Sequence, residues 1–420
     1  MVKIGILGVG TVGTAVAQIL ESNADIIEAR AGKRIVATRG VVKNLDKQRE
    51  VDLVISDDPA DVVENPDIDI VVELMGGVDE PYALVKRALQ NGKAVVTANK
   101  ALLAYHRYEL QEIAGELPLM YEASVAGGIP IIGALRNGLA ANHIESIQGI
   151  MNGTTNYMLT NMIQEGAPYD DILREAQELG YAEADPTFDV GGFDAAHKLL
   201  ILASIAYGID AKPEEILIEG IEHITQTDVA FAKEFGYEIK LLGIAKKVET
   251  GIELRVHPTL IPQRSMIAKV DGVMNAVSVV GDRVGETMYY GAGAGGDATA
   301  SAVIADIVDI VRGNHGPMLG YKKGLESGSR LLPKEAIVTQ YYLRMHVADE
   351  SGVLAAVTHE LEKYDISIES MLQKPTEDAS MAKLLFTTHA CPEARMQDAI
   401  TALGTLDVVR GEIAMMRIEK

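Results

Sequence analysis

The chain has 420 residues, with 38 lysines and arginines against 60 aspartates and glutamates, for a formal net charge of -22. That length accommodates two or three domains with real cores, and that charge excludes nucleic acid and an anionic membrane surface as partners. The single cysteine, Cys391, excludes an internal disulfide and fits a reducing compartment, and without Trp and with only 5 Phe the cores must be aliphatic.

The opening MVKIGILGVG reads as a strand and not a signal peptide, and no apolar run reaches the length of a membrane span, so a cytoplasmic location is expected. Residues 3–7 read as a short apolar strand, Gly8, Gly10 and Gly13 follow with Val9, Thr11 and Val12 between them, and residues 14–20 read as a helix. G-x-G-x-x-G between a strand and a helix is a dinucleotide fingerprint. Gly8 permits the turn, Gly10 lets a pyrophosphate approach the backbone, and Gly13 lets the helix pack. The helix start offers N–H groups to the phosphates. The second strand, residues 34–42, carries no acid for a ribose hydroxyl. Arg39 and Lys43 at its end suit a 2′-phosphate, which favours NADP over NAD; the alternative is that both are solvated surface residues.

The βα rhythm continues. Residues 70–74 form a strand, Asp79 caps a helix closed by Gly92, and residues 94–97 form a strand ending at Thr97 and running into Asn99 and Lys100. A cation is unfavourable at a helix N-terminus, so Lys100 is read as an active-site cation. Residues 117–122 are one more strand, and the alternation predicts a parallel, doubly wound α/β sheet with ligands past its carboxyl ends. From Glu122 to Pro130 the chain is irregular, and carbonyls in such a bend can bind a hard cation.

Residues 143–151 are a strand, and the NGTTN turn after it, residues 152–156, either presents N–H and hydroxyl groups to a carboxylate or caps the next helix. A helix over residues 170–179 leads to a loop carrying Glu183, Asp185 and Asp189. The helix after Gly192 holds Asp194 and Lys198, four apart on one face. Such pairs are usually weak surface ion pairs. This helix is apolar almost all round, however, and a buried charge pair needs a reason, of which an active site is one. Strands over residues 240–248, 252–258, 276–280 and 286–290 predict a mostly antiparallel sheet with helices on one side. The glycine-rich residues 291–297 open a helix through residue 311 that is expected to return to the first domain.

Residues 313–335 read as a linker. Residues 337–420 then run β-α-β-β-α-β, the ferredoxin-like arrangement, as a small separate module without clustered catalytic residue types. The expected domains are residues 1–130, 131–315 (with 296–315 packing back on the first), a linker at 316–336, and 337–420.

With Gly8-x-Gly10-x-x-Gly13, Thr97-Ala-Asn-Lys100, Asn152-Gly-Thr-Thr-Asn156 and the stretch from Glu183 to Lys198 in order, the whole chain resembles homoserine dehydrogenase, and its tail from Asp349 resembles an ACT domain. The resemblance implies reversible reduction of L-aspartate 4-semialdehyde to L-homoserine with NADP or NAD, on the route to threonine and methionine. It implies Lys198 as proton donor, Asp194 and Lys100 beside it, and Glu183 as the carboxylate for the substrate's amino group. It places Gly153, Thr154, Tyr181 and Asp189 along the substrate and Gly296 near the cofactor. It further implies a sodium ion at Glu122, Val125, Gly127 and Ile129. Threonine is the effector expected at the tail, near residues 349–352, and the assembly is expected to be a homodimer or homotetramer. The competing readings are another NADP-dependent dehydrogenase of amino-acid metabolism and a non-catalytic NADP-binding sensor.

Overall fold

The computed structural model describes residues 1–323 and 330–420, so part of the expected linker lies outside the described residues. The first sheet contains β1 Val2–Leu7, β2 Ile35–Val41, β3 Val54–Ser56, β4 Ile70–Glu73, β5 Ala94–Thr97 and β6 Leu119–Met120. Its order is β3-β2-β1-β4-β5-β6, with every neighbouring pair parallel. Helices cover both faces, which is why β4 and β5 are apolar runs and not alternating strands. The strand order reverses between β1 and β4, and the crevice past their carboxyl ends is the ligand position of such sheets.

Three local expectations shift. The first helix is Thr11–Ser22 and starts directly after Gly10. Asp79 is not a cap: it lies in the first turn of the helix Asp79–Gln90, where its charge suits the N-terminus. The strand expected over residues 117–122 pairs only at Leu119–Met120, because Glu122 enters a 3-10 turn and its N–H donates to Asp306 Oδ2 at 2.7 Å.

The second sheet is built from β7 Ile144–Ile150, β8 Leu217–Ile218, β9 Tyr237–Val248, β10 Gly251–Pro262, β11 Met274–Gly281 and β12 Gly285–Ala292. The path β12-β11-β7-β9-β10 is antiparallel, and β8 lies parallel to β10. The helix Phe193–Tyr207 is buried almost throughout, packed on β9 and β10 and on the first domain's helix Lys100–Ala114. The helix Gly296–Arg312 returns as expected: Ala300, Val303 and Ile307 share one core with Ile4, Val16 and Val72.

The tail contains β13 Val338–Ala348, β14 Ile368–Pro375, β15 Met381–Thr388, β16 Cys391–Pro392 and β17 Val409–Ile418, with helices Val353–Lys363 and Glu393–Leu403. The order β17-β13-β15-β14 is the ferredoxin-like arrangement. The tail is not a separate module. β17 pairs in parallel with β10, Thr259 opposite Arg417 and Leu260 opposite Ile418, so both sheets form one 11-stranded sheet among the described residues. Closing the β10 edge removes an unpaired row of backbone groups. Tyr342, Met416 and Ile418 join the core of the second domain, and buried ion pairs cross the junction, Arg344 Nε to Asp228 Oδ1 and Arg255 Nη2 to Glu419 Oε2, both at 2.7 Å. The described part of the linker packs too. Tyr121 Oη donates to Met318 O at 2.6 Å, and Ile252 N donates to Arg330 O at 2.8 Å.

Candidate active site

Two helix caps, one from each domain, build the site. After β5, Asn99 caps the helix Lys100–Ala114: its Oδ1 accepts from Leu102 N at 3.0 Å, and its Nδ2 donates to Gly77 O at 2.9 Å. That holds Lys100 at the first helical position. After β7, Asn152 caps the helix Gly153–Glu165, its Oδ1 accepting from Thr155 N at 2.8 Å. The other end of the same amide donates to Asp189 Oδ1 at 2.7 Å and to Asp194 Oδ2 at 2.9 Å. One side chain therefore ends a strand, starts a helix and fixes two carboxylates.

Asp194 is the hub. Its Oδ2 accepts from Lys198 Nζ at 2.7 Å, and its Oδ1 pairs with Lys100 Nζ from the other domain. Lys198 also donates to Met151 O at 2.6 Å. Asp194 and Lys198 are buried, whereas the Lys100 side chain is 35% exposed. Burial pushes the Asp194 carboxyl up, but the Lys198 and Lys100 ammonium groups outweigh it and hold the carboxyl well below its usual range. Burial lowers Lys198, against the pull of Asp194 and with the help of Lys100. Asp189 is raised, by burial first and by the Asp194 charge next.

A cleft of about 520 Å³ opens over this cluster between the two domains. Lys100, Lys198, Asp189, Asp194, Gly153, Thr154 and Tyr181 all line it. Thr154 Oγ1 donates to Tyr181 O at 2.7 Å, tying two walls together. Gly153 is required by its neighbours, since a Cβ there would stand 2.7 Å from Val273 O. Glu183 is not brought in: it is exposed on the same loop, two residues past Tyr181, and does not line the cleft.

On the cofactor side Gly8 adopts φ +95°, and a Cβ there would stand 2.7 Å from Leu74 O, while one on Gly13 would run into Gly8 O. A Cβ on Gly10 would meet nothing within 4 Å, so no protein atom demands a glycine there and the open space suits a close ligand. Arg49 Nε donates to Val9 O at 2.9 Å and braces the turn, Val12 packs on the first core, and a Cβ on Gly296 would stand 3.3 Å from Thr11 Cγ2. Arg39 is half-buried and pairs with no described residue, whereas exposed Lys43 pairs with Glu80 at 3.0 Å. Thr97 Oγ1 points away from the solvent and donates to Glu73 Oε2 at 2.5 Å.

Models of the homoserine dehydrogenase NAD-binding domain, the homoserine dehydrogenase domain and the ACT domain match residues 8–117, 130–308 and 341–407. A homoserine dehydrogenase of Helicobacter pylori is 54% identical over 417 residues, which span 99% of each chain. A crystal structure of a homoserine dehydrogenase from Thiobacillus denitrificans superposes with a TM-score of 0.95 at 48% identity, covering 100% of this chain and 98% of that one. The chain belongs to the homoserine dehydrogenase family. It is an oxidoreductase interconverting L-homoserine and L-aspartate 4-semialdehyde, with a nicotinamide-binding domain and an ACT domain that implies an amino-acid effector. A shorter archaeal homoserine dehydrogenase, solved in complex with NADPH, superposes with a TM-score of 0.62 at 30% identity, covering 73% of this chain and 97% of that one. No helix among the described residues is long and apolar enough to cross a membrane.

The sodium residues expected of a homoserine dehydrogenase lie in one buried turn. Glu122 accepts Ile132 N at Oε1 and Gly133 N at Oε2, both at 2.7 Å. Val125, Gly127 and Ile129 are buried, Ile129 O accepts from Ile131 N, and the Val125 and Gly127 carbonyls accept no hydrogen bond from described residues. Burial pushes the Glu122 carboxyl up to about 7, and buried Asp306 beside it is raised well above its usual value, by burial and then by Glu122. Two carbonyls that accept no hydrogen bond from described residues, near a buried carboxyl that a cation would help to ionise, fit a hard monovalent cation. No cluster of three or more His, Cys, Asp or Glu among the described residues suits another metal.

Sequence reasoning missed two residues. Glu73 is fully buried at the end of β4, held by Thr97 and by Met75 N at 2.7 Å, and burial pushes it up to about 7. Its signal is a lone acid closing the apolar run IVVE. Asn275 is buried with neither amide atom partnered, against Gly293 and near Gly153 on the cleft wall. Nothing local distinguishes it from any polar residue in a strand.

Proposed function

We propose that Lys198 is the proton donor to the carbonyl oxygen of L-aspartate 4-semialdehyde and the acceptor in the reverse oxidation. The observation that carries this is the Asp194 carboxylate bridging Lys198 and Lys100 across the domain boundary at the floor of the cleft. An ammonium has three donors, and Met151 O and Asp194 Oδ2 take two of those of Lys198, leaving one for the substrate oxygen. The two ammonium groups, Lys198 and Lys100, would stabilise the negative charge that builds on that oxygen as the carbonyl is reduced. Asp194 holds both in place; Asp189, Thr154, Gly153 and Tyr181 line the space for the amino-acid end. In this reading Glu183 joins only if its loop moves inward.

A bound nicotinamide cofactor would supply the hydride, and Gly8 to Gly13 with Thr11 and Gly296 would hold it; Thr97, whose hydroxyl is buried on Glu73, would contribute through its backbone only. NADP is the preferred form. Arg39 supports this as a guanidinium within β2, two residues before its end, that pairs with no described residue, as does the NADPH of the archaeal relative; Lys43, already paired with Glu80, adds less. Sodium at Glu122, Val125, Gly127 and Ile129 would anchor the turn between the domains. Threonine is the effector proposed for the ACT domain near residues 349–352, where Asp349 Oδ1 accepts from Gln373 Nε2 at 3.3 Å and Gly352 starts a helix. A homodimer or homotetramer is supported by the open sheet edges, β12 with exposed Tyr290 and β14 with exposed Met371. A cytoplasmic location follows from the biosynthetic role.

The test is NADPH oxidation with L-aspartate 4-semialdehyde, an NADH arm and a threonine arm beside it, on wild type, Lys198→Ala and Arg39→Ala. Lys198→Ala should lose about 10²–10⁴-fold in kcat with NADPH binding intact, and Arg39→Ala should narrow the NADPH preference. Unchanged turnover in Lys198→Ala would sink its role.

A further inference from the structure

The tail grips the turn that carries the active-site carboxylates. Arg417 on β17 is fully buried, and its guanidinium makes two pairs of bonds. Toward its own domain Nε and Nη2 donate to Glu393 at 2.9 and 2.6 Å. Toward the substrate domain Nη1 and Nη2 donate to the two Glu219 oxygens at 2.7 and 2.8 Å. This fork-to-fork geometry fixes orientation as well as distance.

Glu219 leads directly to the site. Its own N–H donates to Val256 O at 2.9 Å, and two residues on, Ile221 N donates to Val190 O at 3.0 Å. Between them Gly220 lies so close to the same turn that a Cβ would stand 2.5 Å from Val190 O and 2.9 Å from Gly191 Cα. Gly192, at φ +85°, packs from the other side, where a Cβ would be 3.3 Å from Glu219 O. Val190 to Gly192 is the turn between Asp189, bonded to Asn152, and the helix that carries Asp194 and Lys198. Nothing softer than backbone lies between Glu219 and that turn.

We propose that Arg417 and Glu219 are positioning residues for the reaction: through the Ile221–Val190 bond they set the register of Asp189 and Asp194, so the tail's seating is read out at the active site. The inference rests on the catalytic reading of Asp194 given above.

Glu219→Ala and the milder Glu219→Gln test it in the full chain, because the Glu219 side chain is about one-third exposed (36%) and its loss leaves Arg417 paired with Glu393. Lys374→Ala is the control: it removes another ion pair between tail and second domain, with Glu234, that does not touch the turn. For Glu219→Ala we expect KM for homoserine to rise and kcat to fall so that kcat/KM drops about tenfold or more. Glu219→Gln should fall between it and wild type. KM for the nicotinamide cofactor should not move, nor should any parameter of Lys374→Ala. Wild-type kinetics in both Glu219 variants would overturn the link, as would equal losses in Lys374→Ala, which would mean that tail docking alone matters. Asp194→Asn is run alongside. If it keeps full turnover, the catalytic reading fails; if it is inactive while Glu219→Ala is normal, only the link fails.

Discussion

At the scale of single residues the site is governed by burial acting on charge. A buried Asp194 survives as a carboxylate only because two ammonium groups flank it, and a buried Lys198 gives up its proton more easily than an exposed lysine. With Lys198 as the proposed proton acceptor, homoserine oxidation would need its neutral form, so kcat/KM should rise with pH and level off below the ordinary lysine pKa of about 10.4. A profile flat from neutral to alkaline pH would remove Lys198 from the proton path. Glu73 gives a second pH effect, on stability. Its folded pKa of about 7 exceeds the ordinary carboxylate value, so the protonated form is favoured in the fold. Its contribution is complete below the unfolded pKa and is lost as pH rises through 7, a loss of about 3 kcal/mol. Glu73→Gln keeps a neutral side chain at every pH. Its melting temperature should match wild type near pH 5 and exceed it near pH 8, a difference that calorimetry at the two values would resolve.

At the scale of elements, turns do the positioning. Asn99 and Asn152 each cap a helix and in doing so aim Lys100 and two carboxylates at one point. The turn from Glu122 to Gly133 joins the first and second domains, and Ala126 in it holds φ +54°, a conformation costly for a residue with a Cβ. Sodium in this turn would favour the ionised form of Glu122 against its burial. Sodium chloride should therefore raise the melting temperature more than choline chloride at equal ionic strength, and Glu122→Gln should abolish the difference. Equal effects of the two salts on wild type would rule the ion out of this turn.

At the scale of the whole molecule, the continuous sheet makes the tail part of the substrate domain's core. Cutting the chain after residue 336 would open the β10 edge and strip Glu419 from Arg255 and Arg344 from Asp228. The truncation leaves Arg255 and Asp228 without their counter-ions in the tail, and an open edge promotes association. The truncated protein should be aggregated or should melt well below the full chain. A soluble truncation with wild-type melting would mean that the junction contributes little, against the geometry.

Much of this was legible in the sequence because it is written locally. The glycine fingerprint, the βα rhythm and the tail's β-α-β-β-α-β order follow from backbone preference and hydrophobic period, which a few residues specify. The Asp194–Lys198 pair could be read as functional because helical spacing and an apolar surround are also local. Tertiary structure alone decided what those pieces meet. Lys100 reaches Asp194 only because the helices Lys100–Ala114 and Phe193–Tyr207 pack together across the domain boundary. Glu183, as acidic as its neighbours, stays outside because its loop turns its side chain to solvent. Asn275 and Glu73 matter through burial, which no single residue type announces. The tail's fusion to β10 depends on two strands more than a hundred residues apart sharing a register over Thr259 and Leu260. Such pairings are set by the free energy of burying whole faces together, and that quantity belongs to the assembled fold and not to any stretch of the chain.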